Sequence, residues 1–261
     1  MSNKFLRLLA AAAVMGAGAL VAALPAGSAA GAAIFHHPRI RLAGSGNKAA
    51  GWASSNWSGY ALSGSNYSSV TANWVVQAVA PSHQATYSSE WVGIDGFNNS
   101  SLIQTGTESD YYNGAAHYNA WWEILPAAET PISSIKVSPG DHMSATITKV
   151  SGSSWKITIT DADARQNKSF STFQTYAGPQ TSAEWIEEAP TVGGRIAPLA
   201  NYGQTTFDSG TVNGLNPGLV ASDGGVMVQK GIQVSTDSNP DSDTDGFSMA
   251  NGPAAPQSPA S

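Results

Sequence analysis

From Asn56 to about Val234, short runs of Trp, Tyr, Val, Ile and Thr alternate with clusters of Ser, Gly, Asn and Pro. This texture narrows the fold more than any other feature. β-Branched and aromatic residues suit a pleated strand, and the intervening residues supply the backbone angles of turns. Strands are expected near Trp57–Ala61, Val70–Ala78, Ser88–Ile94, Ser101–Thr105, Tyr118–Leu125 and Ile135–Val137. They continue near His142–Val150, Ser154–Asp161, Lys168–Gln174 and Ser182–Glu188, with more near Tyr202–Asp208 and Gly225–Lys230. Asp95-Gly96, Asn113-Gly114, Pro139-Gly140-Asp141 and Gly193-Gly194 mark turns between them. No window keeps a helical period. The pattern points to an all-β antiparallel sandwich or barrel.

The 261 residues include no cysteine, so stability must come from packing. With 11% charged residues and a formal net charge of -6, the chain offers no basic stripe for phosphates, which argues against a nucleic-acid partner. Lys4 and Arg7, the apolar stretch Leu8 to Leu24, and the small residues Pro25 to Ala32 read as an export signal. Residues 1–32 are therefore expected to be a signal peptide, and the protein to be secreted, without a membrane contact once the signal is removed. Residues 33–51 read as a propeptide or linker; their His36-His37 pair, without partners in sequence, reads as loop rather than as a metal site. Residues 52–234 form the expected folded domain. Residues 235–261, rich in Asp, Ser, Asn, Pro and Ala, are expected to be a disordered tail. Within that tail, Asp241-Ser242-Asp243-Thr244-Asp245-Gly246 opens like a calcium loop, but Gly252 stands where the closing acid belongs.

Chemistry concentrates where polar residues interrupt aromatic strands. Ser182-Ala183-Glu184-Trp185-Ile186-Glu187-Glu188-Ala189-Pro190 carries three carboxylates in a short run. On a strand, Glu184, Ile186 and Glu188 share one face, and Trp185 and Glu187 the other. Either this is a solvated edge strand, or one face lines a groove that uses acid. Elsewhere Trp91 shares a face with Asp95, Gln104 lies in an apolar strand, and Trp121 shares a face with Glu123. Buried groups of these types need hydrogen-bond partners.

Taken in order, Trp-Val-Gly-Ile-Asp-Gly (91–96), Leu-Ile-Gln-Thr-Gly (102–106), Tyr-Asn-Ala-Trp-Trp-Glu (118–123) and Ala-Glu-Trp-Ile-Glu-Glu (183–188) resemble the motifs of the glutamic peptidases, the eqolisin family. The resemblance implies a sandwich of two antiparallel sheets, of concanavalin or jelly-roll type, with a substrate groove across the concave face. It implies a secreted, monomeric acid endopeptidase that acts on polypeptides without metal or cofactor. Gln104 and Glu188 match the family's catalytic pair, and Trp91, Asp95, Trp121 and Glu123 match residues that line or support its groove. A carboxylate can activate water and return the proton to the leaving amine, while an amide N–H stabilises the oxyanion. Activity is then expected near or somewhat below the ordinary glutamate pKa of about 4.3. Asn119 replaces the family's Asp, and Glu187 replaces an aliphatic residue, so a one-residue slip would exchange Glu187 for Glu188. A β-sandwich glycosidase using Glu90, Asp95, Glu123 and Glu188, or a sugar- or peptide-binding module, is the alternative from the residues alone.

Overall fold

The computed structural model describes residues 33–42, 51–163 and 167–261. The expected signal peptide and residues 43–50 of the expected propeptide lie outside the described residues. The first half of the chain gives strands β1 (Ile34–Phe35), β2 (Trp52–Ser54), β3 (Trp57–Ser63), β4 (Ser69–Val75), β5 (Ser89–Ile94), β6 (Ile103–Tyr112), β7 (Ala115–Ile124), β8 (Thr130–Pro131) and β9 (His142–Ser151). The second half gives β10 (Ser154–Asp161), β11 (Lys168–Thr175), β12 (Ser182–Glu188), β13 (Thr191–Val192), β14 (Arg195–Ile196), β15 (Gln204–Phe207), β16 (Thr211–Val212), β17 (Gly224–Gln229), β18 (Ile232–Asp237) and β19 (Phe247–Asn251). Among the described residues there is no α-helix, only a 3-10 turn at Ala221–Asp223.

Hydrogen bonding links most strands in one path, β11-β10-β9-β4-β15-β19-β18-β17-β3-β12-β5-β6-β7-β8, while β1, β13 and β14 form a small separate sheet. Apart from β2, which runs parallel to β17, the strand pairs are antiparallel. The path doubles over into two layers, so that Val70, Ala72, Trp74, Ala145, Ile147, Ile157 and Ile159 pack against Tyr60, Val92, Ile94, Ile103 and Trp185. The period-two pattern drives this closure. Along β10, Trp155, Ile157 and Ile159 are buried and the residues between them are only partly covered. Each large apolar side chain removed from water contributes about 1.5–3 kcal/mol.

Two expectations are corrected. The chain past Ser235 is not a disordered tail as far as Asn251: β18 and β19 pair with each other, and β19 pairs with β15. Phe247 and Met249 are buried in the main core, and the Ser235 hydroxyl lies 2.6 Å from those of Ser58 and Tyr202. Two apolar residues at period-two spacing are enough to place a short strand when the partner strands already exist. Ile135 and Val137 are buried, as the apolar pattern requires, but lie in an irregular segment rather than a strand.

Strand β12 is no edge strand. It sits between β3 and β5, with all seven of its residues buried. Its core face carries Ala183, Trp185 and Glu187, and Glu187 pairs across the sheet with Glu90. Neither oxygen of Glu187 has a hydrogen-bond partner among the described residues, and one oxygen of Glu90 also lacks one. Burial first, and then the mutual repulsion of neighbouring carboxylates, raises Glu187 well above the ordinary range. Burial likewise pushes Glu90 up to about 8, against hydrogen bonds that favour its charged form.

These shifts set the sign of the pH dependence. A carboxyl whose pKa is raised by folding binds its proton more tightly in the native state than in the unfolded chain. Its contribution is fully present below the unfolded value of about 4.3 and is lost as pH rises through the folded value. Melting temperature is therefore expected to fall between about pH 4.5 and 8, and Glu187→Gln is expected to flatten that fall. A melting temperature that stays level or rises across this window would contradict the assignment.

Candidate active site

The site lies on the other face of the same strands, away from the main core. Register makes this explicit. Glu188 stands opposite Trp57 in β3 and Ser89 in β5; Ile186 stands opposite Trp91; Ser89 stands opposite Glu108 in β6. Gln104 stands opposite Gly93 in β5 and Glu123 in β7, and Gly106 opposite Trp91 and Trp121. Alternation thus gathers Glu188, Trp91, Gln104, Glu108, Trp121 and Glu123 on one side of a central sheet. Gly106 is required there: a Cβ would lie 2.1 Å from the Glu90 carbonyl oxygen and 2.5 Å from the Trp91 Cβ. Trp57, Trp91, Leu102, Trp121 and Ile186 form a second apolar cluster around the polar groups.

The Glu188 carboxylate is held from several directions. Trp91 Nε1 donates to its Oε2 at 2.9 Å, and Asn56 Nδ2 donates to its Oε1 at 3.4 Å. Gln104 Nε2 donates to Glu123 Oε2 at 2.5 Å, leaving Gln104 Oε1 buried without a partner among the described residues. Burial pushes Glu123 up to about 8; the Glu188 charge adds to the rise, while His36 and the Gln104 hydrogen bond oppose it. Burial also raises Glu108 to about 7, with His36 opposing.

Across this face runs the segment 33–42. Its β1 pairs with β13, its Arg39 guanidinium lies 3.6 Å from the Phe97 ring centre, and Asn56 Oδ1 accepts from the Ile40 N–H at 2.9 Å. His36 is fully buried and stacks on Trp121, with ring centres 3.8 Å apart and planes 9° from parallel. Its Nδ1 meets Glu188 Oε2 at 2.9 Å, and its Nε2 meets Glu108 Oε1 at 3.0 Å and Glu129 Oε2 at 3.4 Å. The His36 main-chain N–H points to Glu123 Oε1 at 3.4 Å, and that of His37 donates to Glu188 Oε1 at 3.1 Å. Burial disfavours charge on the ring, but the attraction of Glu188 and hydrogen bonds to Glu108, Glu129 and Glu188 outweigh it and raise His36 well above 6.5. His36, Glu108 and Glu129 have the donor set of a metal site and lie within 4.8 Å of one another. The same contacts suit an ion-paired imidazolium, which the raised pKa of His36 favours and which would donate from both nitrogens.

Of the residues singled out by sequence, Trp91, Gln104, Trp121, Glu123 and Glu188 come together here. Glu187 does not; it faces the core. Asp95 stands apart as well. Its oxygens accept from Tyr176 Oη at 2.6 Å, from the Gln180 and Thr181 N–H groups at 2.8 Å, and from Asn99 Nδ2 at 3.0 Å, so it anchors the loop before β12. Sequence reasoning missed Glu108, because it ended the strand at Thr105; continuing the alternation from Gln104 to the Asn113-Gly114 turn would have placed Glu108 on the same face. Asn56 and His36 gave no local signal, since their partners are distant in sequence.

Comparison with known proteins agrees with this geometry. A model of the Peptidase A4 family matches residues 55–247. Aspergillopepsin-2 of Aspergillus niger is 29% identical over 196 residues, which cover 67% of this chain and 70% of that protein. Scytalidopepsin B of Scytalidium lignicola is 34% identical over 137 residues, 51% of each chain. The crystal structure of scytalido-glutamic peptidase with a transition-state analogue inhibitor superposes with a TM-score of 0.65 at 24% identity, covering 76% of this chain and 98% of that one. With its family motifs on one face of a two-layer antiparallel sandwich, the chain belongs to the Peptidase A4 family, the glutamic peptidases or eqolisins, which hydrolyse peptide bonds.

Proposed function

We propose that this protein is an exported acid endopeptidase, that Gln104 and Glu188 are its catalytic pair, and that residues 33–42 hold it in a latent form. The observation that carries the reading is the placement of His36. Its ring pairs with Glu188, and its N–H reaches Glu123, whose other oxygen holds Gln104. A peptide segment already lies between the two candidate groups, where a substrate would have to lie.

With that segment displaced, a water can take the place of the His36 ring beside Glu188. Glu188 removes a proton from this water as it attacks the peptide carbonyl, and then passes a proton to the leaving amine. The Gln104 N–H donates to the oxyanion of the tetrahedral intermediate. Trp91 and Asn56 fix the carboxylate for this work through their N–H groups. Glu123, raised by burial to about 8, is neutral in acid. It therefore holds Gln104 without placing a second negative charge beside the oxyanion. A neutral Glu123 also carries an O–H, and the unpartnered Gln104 carbonyl oxygen is the acceptor that fits it when the amide turns its N–H groups toward the groove.

Latency follows from the same charges. His36 is a cation among carboxylates, so its attraction is present below its raised pKa and weakens as Glu108, raised by burial to about 7, takes up its proton on acidification. Acid thus frees the groove while keeping Glu123 neutral. The sugar-directed alternatives lose their support, since the family is one of peptidases.

Digestion of a denatured protein at acid and neutral pH tests the pair. Glu188→Gln is expected to lower kcat by roughly 10²–10⁴-fold, and Gln104→Ala by about 10²–10³-fold. Glu187→Gln is expected to keep activity; activity lost there and retained in Glu188→Gln would move the base to the other face. A second experiment tests latency. Full-length His36→Ala is expected to begin digesting substrate without the lag of the native protein and at a higher pH, whereas an unchanged lag and pH threshold would separate residues 33–42 from control of the site.

A further inference from the structure

A second cluster of acids lies in the loop between β18 and β19. The run Asp241-Ser242-Asp243-Thr244-Asp245-Gly246 has acids at alternate positions followed by glycine, the pattern with which calcium loops begin, and it lacks the closing acid in sequence. The fold supplies an acid from elsewhere. Asp208, which follows β15, brings its carboxylate to those of Asp241 and Asp245, so that one oxygen from each lies within 4.8 Å of the others. Calcium–oxygen distances are about 2.3–2.6 Å, so ligands of one ion lie up to about 5 Å apart, and the three oxygens fit that span.

An acidic cluster alone is not a site, but here the buried atoms point inward and have nothing to bind. Asp241 is 6% exposed; its Oδ1 accepts from the Asp245 N–H at 3.1 Å, while its Oδ2 is buried without a hydrogen-bond partner among the described residues. Asp245 Oδ1 is buried and unpartnered as well. Gly246 leaves the space open: a Cβ there would lie 2.4 Å from Asp241 Oδ2 and 3.1 Å from Asp208 Cγ. The main chain fixes the arrangement through Gly210 N–H donating to Asp245 O at 2.8 Å and Asp241 N–H donating to Gly246 O at 3.0 Å.

We propose that Asp208, Asp241 and Asp245 bind a calcium ion that ties the turn after β15 to the β18–β19 loop. The donors are all oxygen, which selects a hard cation, and the alternate-acid loop with glycine at its sixth position favours calcium over magnesium. The role is structural. Gly210 packs beside the Trp185 indole, with its Cβ position 3.0 Å from Trp185 Nε1, so the tie steadies the far side of the strand that carries Glu188.

The test is calorimetric titration of Ca²⁺ alone into the full-length, chelator-treated protein near pH 7, beside thermal melting with Ca²⁺ or EDTA. One Ca²⁺ per chain with a Kd of about 10⁻⁴–10⁻³ M or tighter is expected, with a higher melting temperature in Ca²⁺ than in EDTA and weaker binding of Mg²⁺. Asp208→Asn, lying outside the alternate-acid run, is expected to weaken binding at least tenfold, as is Asp245→Asn. A folded native protein that takes up no Ca²⁺ at 10 mM would overturn the proposal. So would Ca²⁺ binding unchanged in Asp208→Asn, since the run would then bind without the acid brought by the fold.

Discussion

The structure depends on how it handles carboxylates that its strands force out of water. β12 lies in the middle of the sheet, so Glu184, Glu187 and Glu188 are all buried whatever their chemistry. An ionised carboxylate in such a place costs far more than a neutral one unless it is paired or hydrogen-bonded. Each of these acids meets the constraint differently. Glu187, beside Glu90 on the core face, is raised well above the ordinary range, which favours its neutral form. Glu184 is raised too, chiefly by burial. Glu188 alone is surrounded by donors: an indole N–H, an amide, a main-chain N–H and the His36 ring. The environment distinguishes this one carboxylate from its neighbours in the same strand.

This division links folding to activity. The acids on both faces of the central sheet are easier to bury when protonated, and the imidazolium of His36 is easier to bury while its carboxylates attract it. Each raised group on these strands makes the native state take up protons relative to the unfolded chain, so one physical cause favours a neutral Glu123 beside Gln104 and underlies the expected loss of stability toward alkaline pH. The latent form proposed above would be a local use of the same property, with the His36 ring filling the space beside Glu188, Glu108 and Trp121.

Much of this was legible in the sequence, for a physical reason. Strand alternation is strict, so the motifs around Trp91, Gln104, Trp121 and Glu188 announced which side chains share a face before any pairing was known. It also resolves Glu187 from Glu188, once Glu188 is seen opposite Ser89 and Trp57. What stayed hidden depends on contacts across long sequence separations. Glu108 fell outside the strand expected to end at Thr105, yet lies deep in β6. His36 looked like a loop residue, yet meets Glu188 far along the chain. The stretch around Phe247 and Met249 looked too polar to fold, because composition counts apolar residues but not the ready-made strand edges beside which two of them suffice.

The central claim is that His36 is a buried cation held by Glu188, and the most direct measurement is an NMR titration of the His36 ring nitrogens in the full-length protein and in Glu188→Gln. The account predicts a ring protonated on both nitrogens well above the ordinary value of about 6.5, with its midpoint lowered in the variant. A ring that titrates at or below the ordinary value, and does so equally in both proteins, would contradict it.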